Sequence, residues 1–499
     1  MMTKCRSSIS YLAVLTAALA VAMPAFSQQQ HAAELSKVVR LNRAPVSNEI
    51  LHVTLPRPVV TKLPNGLTVM VLEQHKLPTV NIVLQIGTGD MSDPKDTPGL
   101  ASFTAEMLRE GTTHRTSAQL AADVDKLGAT LNCSSDFGST DTRVSASGLS
   151  SSTGEILNLM SDVLLNPAFP SDELEKYKQR ELSDLEQERS QPFQLAEERL
   201  QQAIYQDFPA SITLPTPDSI KATTPARLKD FHDRYYVPSN AILIVVGDVK
   251  ADEFVEMTRK YFGDWSGQPV PPPDWSNLPP PAPAKIYLVD RPDSVQSNIL
   301  AGDFGAMRSD PEFIGFRVAN RVLGGGPQAR LFLNLREAHG YTYGAYSRFQ
   351  VGKYRMTWSA NTEVRNAVTD GSMEQLMLEL KRIRNEKVPE AELNEARHSL
   401  IASFALSLEQ PQELLSNWLT VQDEGLPMDY WDRLPTRIAQ TTADAAQAAA
   451  RKYIDLDHLQ IICVADPKQP GNDQKQAIRD VLKKYGTVEV YDTNGKKEE

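Results

Sequence analysis

Residues 241–248, Ala241-Ile242-Leu243-Ile244-Val245-Val246-Gly247-Asp248, return near the other end of the chain as His458-Leu459-Gln460-Ile461-Ile462-Cys463-Val464-Ala465-Asp466, about 218 residues later. Four further landmarks recur in the same order. Val69-Met70-Val71-Leu72 answers to Ile286-Tyr287-Leu288-Val289, and Ser92-Asp93-Pro94 to Ser309-Asp310-Pro311, both at an offset of 217. Pro170-Ser171-Asp172-Glu173-Leu174 answers to Pro389-Glu390-Ala391-Glu392-Leu393, and Gln191-Pro192 to Gln410-Pro411, both at 219. Five ordered landmarks at nearly constant spacing indicate one duplicated domain. The period is far longer than the roughly 20–50 residues of a solenoid repeat.

The join falls where the repeat predicts. Gln268 to Ala284 (QPVPPPDWSNLPPPAPA) is proline-rich and expected to be extended and stiff. The expected layout is a first domain over 57–267, a linker over 268–284 and a second domain over 285–490. Each half runs through the same elements. Strands are expected over Leu67–Leu72 and Ile286–Val289, then Val80–Ile86 and Asn298–Phe304. Helices with three-to-four apolar spacing follow over Gly99–Arg109 and Glu312–Leu323. Polar-alternating strand pairs come next, Thr130–Gly148 and Thr342–Asn361, then long helices, Asp172–Gln191 and Glu390–Ser407. An apolar strand, Ile242–Val246 or Leu459–Val464, is expected to close each half. The fold class is α+β: two tandem homologous domains, each a mostly antiparallel sheet packed with helices.

The first residues read as a targeting segment. Lys4 and Arg6 precede an apolar run from Ile9 to Met23, and Ala25 and Ser27 suit cleavage after Ser27. Residues 1–27 are expected to be a signal peptide and 28–56 an N-terminal extension. Secretion across the inner membrane into the periplasm follows, with no membrane span in the mature protein. The formal net charge of -11 argues against a nucleic-acid partner. Of three cysteines, Cys5 leaves with the signal; Cys133 and Cys463 are far apart and expected to be isolated buried thiols.

Several motifs together resemble the pitrilysin/insulinase zinc peptidases: Leu63-Pro64-Asn65-Gly66-Leu67, Pro98-Gly99-Leu100-Ala101-Ser102-Phe103 running to Gly111-Thr112, and Tyr235-Tyr236-Val237-Pro238-Ser239-Asn240. The second half adds Arg330-Leu331-Phe332, Leu335-Arg336-Glu337 and Gly340-Tyr341-Thr342-Tyr343. That family places H-x-x-E-H on a helix: two histidines hold zinc and the glutamate is the base for the metal-bound water. Laid on this chain, the resemblance puts Ser102 at the first histidine, Ala105 at the glutamate and Glu106 at the second histidine. The further glutamate ligand falls near Ser183 or Asp184. A serine, an alanine and a glutamate cannot replace two imidazoles and a proton acceptor. No two histidines lie within five residues of each other, and Gly324-Gly325-Gly326 lacks the Lys-Ser/Thr of a phosphate loop, so it reads as a flexible turn.

The resemblance implies that Arg336 and Tyr343 bind the substrate backbone, and that the strand Ala129–Ser135, with Asn132, pairs with extended substrate. Without it, Arg336 reads as a surface ion pair with Glu337, Tyr343 as a core residue and Ala129–Ser135 as a plain core strand. The resemblance further implies a non-catalytic, substrate-binding subunit with no metal or catalytic residue of its own. A zinc-bearing partner of the same family would supply hydrolysis of unfolded peptides. Two other readings stay open: a self-sufficient metallopeptidase with altered ligands, and a non-enzymatic peptide-binding or scaffold protein.

Overall fold

The computed structural model describes residues 51–498. The expected signal peptide, and the expected extension up to residue 50, lie outside the described residues.

Short β-rich segments alternate with amphipathic helices, and the strands gather into two six-stranded sheets. The first contains β1 (Val59–Lys62), β2 (Thr68–Glu73), β3 (Thr79–Ile86), β4 (Thr130–Ser134), β5 (Thr142–Leu149) and β6 (Ala241–Gly247). The second contains β7 (Lys285–Asp290), β8 (Gln296–Phe304), β9 (Thr342–Phe349), β10 (Thr357–Arg365), β11 (Gln460–Ala465) and β12 (Val488–Tyr491). Their orders are β1-β2-β6-β3-β5-β4 and β12-β7-β11-β8-β10-β9. Five strands of one sheet thus map onto five of the other. The sixth place is filled from opposite ends: β1 comes first and pairs antiparallel with β2, while β12 comes last and pairs parallel with β7. Both sheets are mixed, with seven of the ten strand pairs antiparallel.

The two apolar strands expected to close each half are central instead. β6 and β11 lie inside their sheets with nearly every residue buried. A run of Ile, Leu and Val without alternation is what a strand covered on both faces requires. Helix follows β6, and helix then β12 follow β11.

Prominent among the helices are α1 (Leu100–Met107), α2 (Ser171–Arg189), α3 (Pro192–Tyr205), α4 (Phe313–Gly324), α5 (Leu333–Ala338, a wide π-type turn), α6 (Glu390–Ser407) and α7 (Pro411–Asp423). α3 and α7 occupy equivalent positions in the repeat. Each starts with proline, whose missing N–H costs nothing at a helix start. Each packs on the sheet of the other half. The α3 residues Leu195, Leu200 and Ile204 share one apolar cluster with Tyr287, Leu300 and Ile462 of the second sheet. Leu414, Leu415 and Trp418 of α7 share another with Met70, Leu72, Ile244 and Val246 of the first. Polar bonds follow the same exchange: Tyr205 donates to the Arg355 carbonyl at 3.0 Å, and Gln412 to Asn81 at 2.9 Å.

The triple glycine is held rather than loose. Gly324 ends α4 against β9, where a Cβ would stand 2.3 Å from the Ser347 nitrogen, and Arg321 bonds to the Gly325 carbonyl. Cys133 and Cys463 are both free and buried. Among the described residues no helix is long and apolar enough to cross a membrane.

Candidate functional site

The sequence left α1 a run of small and apolar residues, and the helix packs accordingly. Ala101, Phe103, Ala105 and Met107 are buried, whereas Ser102 and Glu106 are half-buried on one face. The helix start is capped by Asp93, whose carboxylate accepts from the Gly99 and Ala101 nitrogens at 2.7 and 2.9 Å. The Asp90 and Asp93 carboxyls both sit well above the usual carboxylate range, chiefly through burial.

α2 completes the site. Tyr177 is buried with its ring edge-on to Phe103, centroids 4.8 Å apart, and its phenol lies within hydrogen-bonding reach of Ser102 and Glu181. Burial, and then the like charges of Asp184, Glu188 and Glu106, raise the Glu181 carboxyl against the lowering effect of the Tyr177 bond. Glu181 is therefore near enough to Glu106 to feel its charge. Distance from Pro192 had pointed to Ser183 or Asp184. The structure places Ser183 on the exposed side, its hydroxyl turned back to the Gln179 carbonyl at 3.1 Å, with Asp184 exposed but electrostatically coupled to Glu181. Glu181 was missed because residue counting does not fix helix phase. Its position four residues after Tyr177, on the same helix face, was the available signal.

The donor set does not fit zinc. Glu106 is paired with Arg109 at 2.9 Å, Ala105 has no donor, and a tyrosine stands between Ser102 and Glu181. Among the described residues no group of three or more His, Cys, Asp or Glu side chains is placed to hold a metal ion.

β4 runs beside this helix as the free edge of the first sheet. Asn132 is exposed on it, and the Cys133 thiol, pushed up to about 12 by burial, is near enough to feel Arg109 and Glu106. An open polar depression of about 680 Å³ next to His114, Arg115 and Asp162 belongs to other elements. Its charges satisfy one another, with His114 and Arg115 each 2.6 Å from Asp162.

In the second half, α5 and β9 bring Arg336 and Tyr343 onto adjoining elements. Arg336 sits on the π-type turn, half-exposed, with Cζ 4.7 Å from the Phe332 ring and Nε 3.6 Å from Glu337. The surface ion pair is thus present but loose. Tyr343 is not a core residue: it is 91% exposed. The cause is a β-bulge. Thr362 pairs with Ala345 and Val364 with Thr342, so Tyr343 and Gly344 together oppose the single residue Glu363. Thr342 fixes the distortion by donating to the Glu363 carbonyl at 2.7 Å. β9 is the free edge of its sheet, as β4 is of the other. Among the described residues, no hydrogen bond, ion pair or ring contact links Arg336 or Tyr343 to the group around Ser102, Glu106 and Glu181.

Comparison with known proteins agrees with this geometry. Residues 68–218 match the family "Insulinase (Peptidase family M16)", and residues 222–400 match "Peptidase M16 inactive domain". An uncharacterized zinc protease of Mycobacterium leprae is 26% identical over 364 residues, covering 71% of this chain and 80% of its own length. A probable mitochondrial-processing peptidase subunit beta of Arabidopsis thaliana is 24% identical over 428 residues, 82% of this chain and 78% of that protein. The crystal structure of a peptidase M16 inactive domain from Pseudomonas fluorescens superimposes with a TM-score of 0.75 at 24% identity, covering 82% of this chain and 97% of that one. A protease from Helicobacter pylori superimposes at 0.76 with 17% identity, covering 82% and 100%. The chain is a member of peptidase family M16, with both of its halves built on that family's fold.

Proposed function

We propose that this protein is the non-catalytic, substrate-binding subunit of a periplasmic heteromeric metallopeptidase, in which a zinc-bearing relative performs hydrolysis. The observation that carries the reading is the bulged, 91% exposed Tyr343, on the strand adjoining the turn of the half-exposed Arg336, set against an α1 helix that has neither histidine nor the glutamate base of H-x-x-E-H. A tyrosine presented to solvent at a strand bulge has no packing role, and bulges re-aim side chains next to binding sites.

The chemistry follows from the two donors. The Arg336 guanidinium and the Tyr343 phenol both donate hydrogen bonds to a peptide carbonyl oxygen. Those bonds strengthen as the oxygen gains negative charge. The free edges β4 and β9 offer main-chain donors and acceptors to an extended peptide, a mode suited to unfolded substrates. Glu106 and Glu181 leave the first half unable to generate a metal-bound nucleophile. The Arabidopsis relative is itself named as a subunit, which supports a shared site.

The test is reconstitution. The mature chain is purified alone and with a secreted family member bearing an intact H-x-x-E-H. Zinc content and hydrolysis of an unfolded peptide are measured for each. Activity that needs both chains, with zinc only in the partner, supports the reading. Stoichiometric zinc and hydrolysis by this chain alone would refute it. A complex whose rate is unchanged by Arg336→Ala and Tyr343→Phe would favour a scaffold instead.

A further inference from the structure

A cavity of about 260 Å³ lies between the start of α1 and the turn that follows α3. Pro98, Phe137, Phe208 and Ile212 give it apolar walls, and Asp90 and Asp93 give it two carboxyls. The walls are held in place. Phe208 packs against Tyr205 and Tyr354, with ring centroids 5.9 and 5.8 Å apart. Tyr354 donates to the Gly138 carbonyl at 2.8 Å, which ties down the loop that carries Phe137. Gln206, with a φ of 52°, turns the chain out of α3, and its side chain donates to the Pro280 carbonyl at 3.2 Å.

The two carboxyls differ. Asp93 is engaged with α1, since both of its oxygens accept main-chain N–H groups. Asp90 is only half engaged. It is 7% exposed; its Oδ1 accepts from the Ser135 hydroxyl at 2.7 Å, and its Oδ2 is buried without a hydrogen-bond partner. Among the described residues neither carboxyl has an ion pair. Lys95 also lines the cavity, but it is exposed and is not one of the charges acting on Asp90. With Asp207 the lining carries three acids to this one base. Burial is the main cause that raises the Asp90 carboxyl, as expected where a counter-charge is missing.

A carboxylate oxygen taken out of water without a donor is costly, and a cation placed against it offsets that cost. An ammonium group suits this lining: it donates charge-assisted hydrogen bonds to a carboxylate and is attracted to aromatic faces. The volume is below the roughly 300–1,000 Å³ of pockets that take drug-sized ligands, so the occupant is a small group. We propose that Asp90 anchors a primary ammonium group in this cavity, carried on a short apolar arm that packs against Phe137 and Phe208. A free amine and the lysine side chain of a peptide both present that chemistry. The lining includes none of Ser102, Glu106, Glu181, Arg336 and Tyr343, so the site stands independently of the proposed peptidase role.

The experiment titrates the purified mature chain by calorimetry with phenethylammonium chloride and, separately, with Nα-acetyl-lysine amide. Phenethyl alcohol, which has the same arm without the charge, is the reference at matched ionic strength. The expected result is saturable binding of at least one ammonium probe and none of the alcohol. Asp90→Asn should weaken binding about tenfold or more, the size of a lost charge-assisted hydrogen bond. Asp252→Asn, an exposed change outside the cavity, should leave it intact. Tighter binding of phenethylammonium identifies a free amine as the ligand, and tighter binding of the lysine amide identifies a peptide side chain. Should Asp90→Asn fail to fold, Ile212→Trp fills the cavity and leaves the carboxyl in place; lost binding supports the site and unchanged binding overturns it. No saturable response to either ammonium probe, equal binding of the alcohol, or a response that survives Asp90→Asn also overturns the proposal.

Discussion

Leu200 of the first half lies against Gly302 of the second: a Cβ built on Gly302 would stand 2.9 Å from the Leu200 Cδ2 and 2.6 Å from the Trp358 carbonyl oxygen. The contact is part of the exchange that lays α3 on the opposite sheet. Both neighbours constrain it, since Leu200 is fully buried and the Trp358 oxygen is backbone. Gly302→Ala should therefore destabilise the protein by about 1–3 kcal/mol, the usual cost of overpacking. Urea unfolding should show a lower midpoint with an unchanged slope. An unaltered midpoint would mean that the halves are less tightly joined than this contact implies.

Tyr343 and Arg336 should separate binding from stability. Tyr343 is 91% exposed, so Tyr343→Phe should shift unfolding by no more than about 0.5 kcal/mol, as exposed substitutions do. In the reconstituted complex, Tyr343→Phe and Arg336→Ala should each lower kcat/KM by roughly 10²–10³, the effect of losing one oxyanion donor. Loss of activity accompanied by a large drop in thermal midpoint would point to a structural role.

Asp90 gives a pH signature. Its carboxyl is raised by burial, opposed by bonds from Ser135 and the Ser102 backbone, and pushed further by Asp136; it also raises its neighbour Asp93. Its second oxygen is buried without a partner. A carboxyl raised on folding holds its proton longer in the folded state. Its contribution is fully present below the unfolded value near 4 and is lost as pH rises toward the folded value. Stability should therefore fall between about pH 4 and pH 8, by at most about 1.4 kcal/mol per pH unit for each proton involved. Asp90→Asn should flatten that slope and raise the thermal midpoint at pH 8. A slope identical to that of the native chain would exclude this origin.

Cys133 and Cys463 should be inert. Both are buried and both thiols are pushed up to about 12, burial being the main cause. A thiolate-trapping reagent should label neither in the folded mature chain at pH 8, and both after unfolding in guanidinium. Rapid labelling of the native protein would show that the edge strand β4 or the central strand β11 opens readily.

Legibility in the sequence varied with the kind of information required. β2 and β7 begin at Thr68 and Lys285, 217 residues apart, the offset the landmarks gave. The loss of both histidines and of the glutamate from α1 needed no coordinates. Tyr177 and Glu181 were illegible by counting, because a one-residue error rotates a side chain by about 100° around a helix. The exposure of Tyr343 was also hidden: alternation along a strand gives the wrong face once a bulge inserts a residue.

The sequence by itself determined the duplication, the alternation of strands and helices in each half, and the replacement of the H-x-x-E-H residues by Ser102, Ala105 and Glu106, because these reside in residue identity and spacing. Only the tertiary structure decided that α3 and α7 change sheets, that β1 and β12 fill the same place from opposite ends of the chain, and that Arg330 finds its counter-charge in Glu392 of α6, 2.7 Å away. An amphipathic pattern states that a helix has an apolar face but not which surface receives it. A charged residue likewise shows no sign, in one dimension, of whether its counter-charge arrives from elsewhere in the fold.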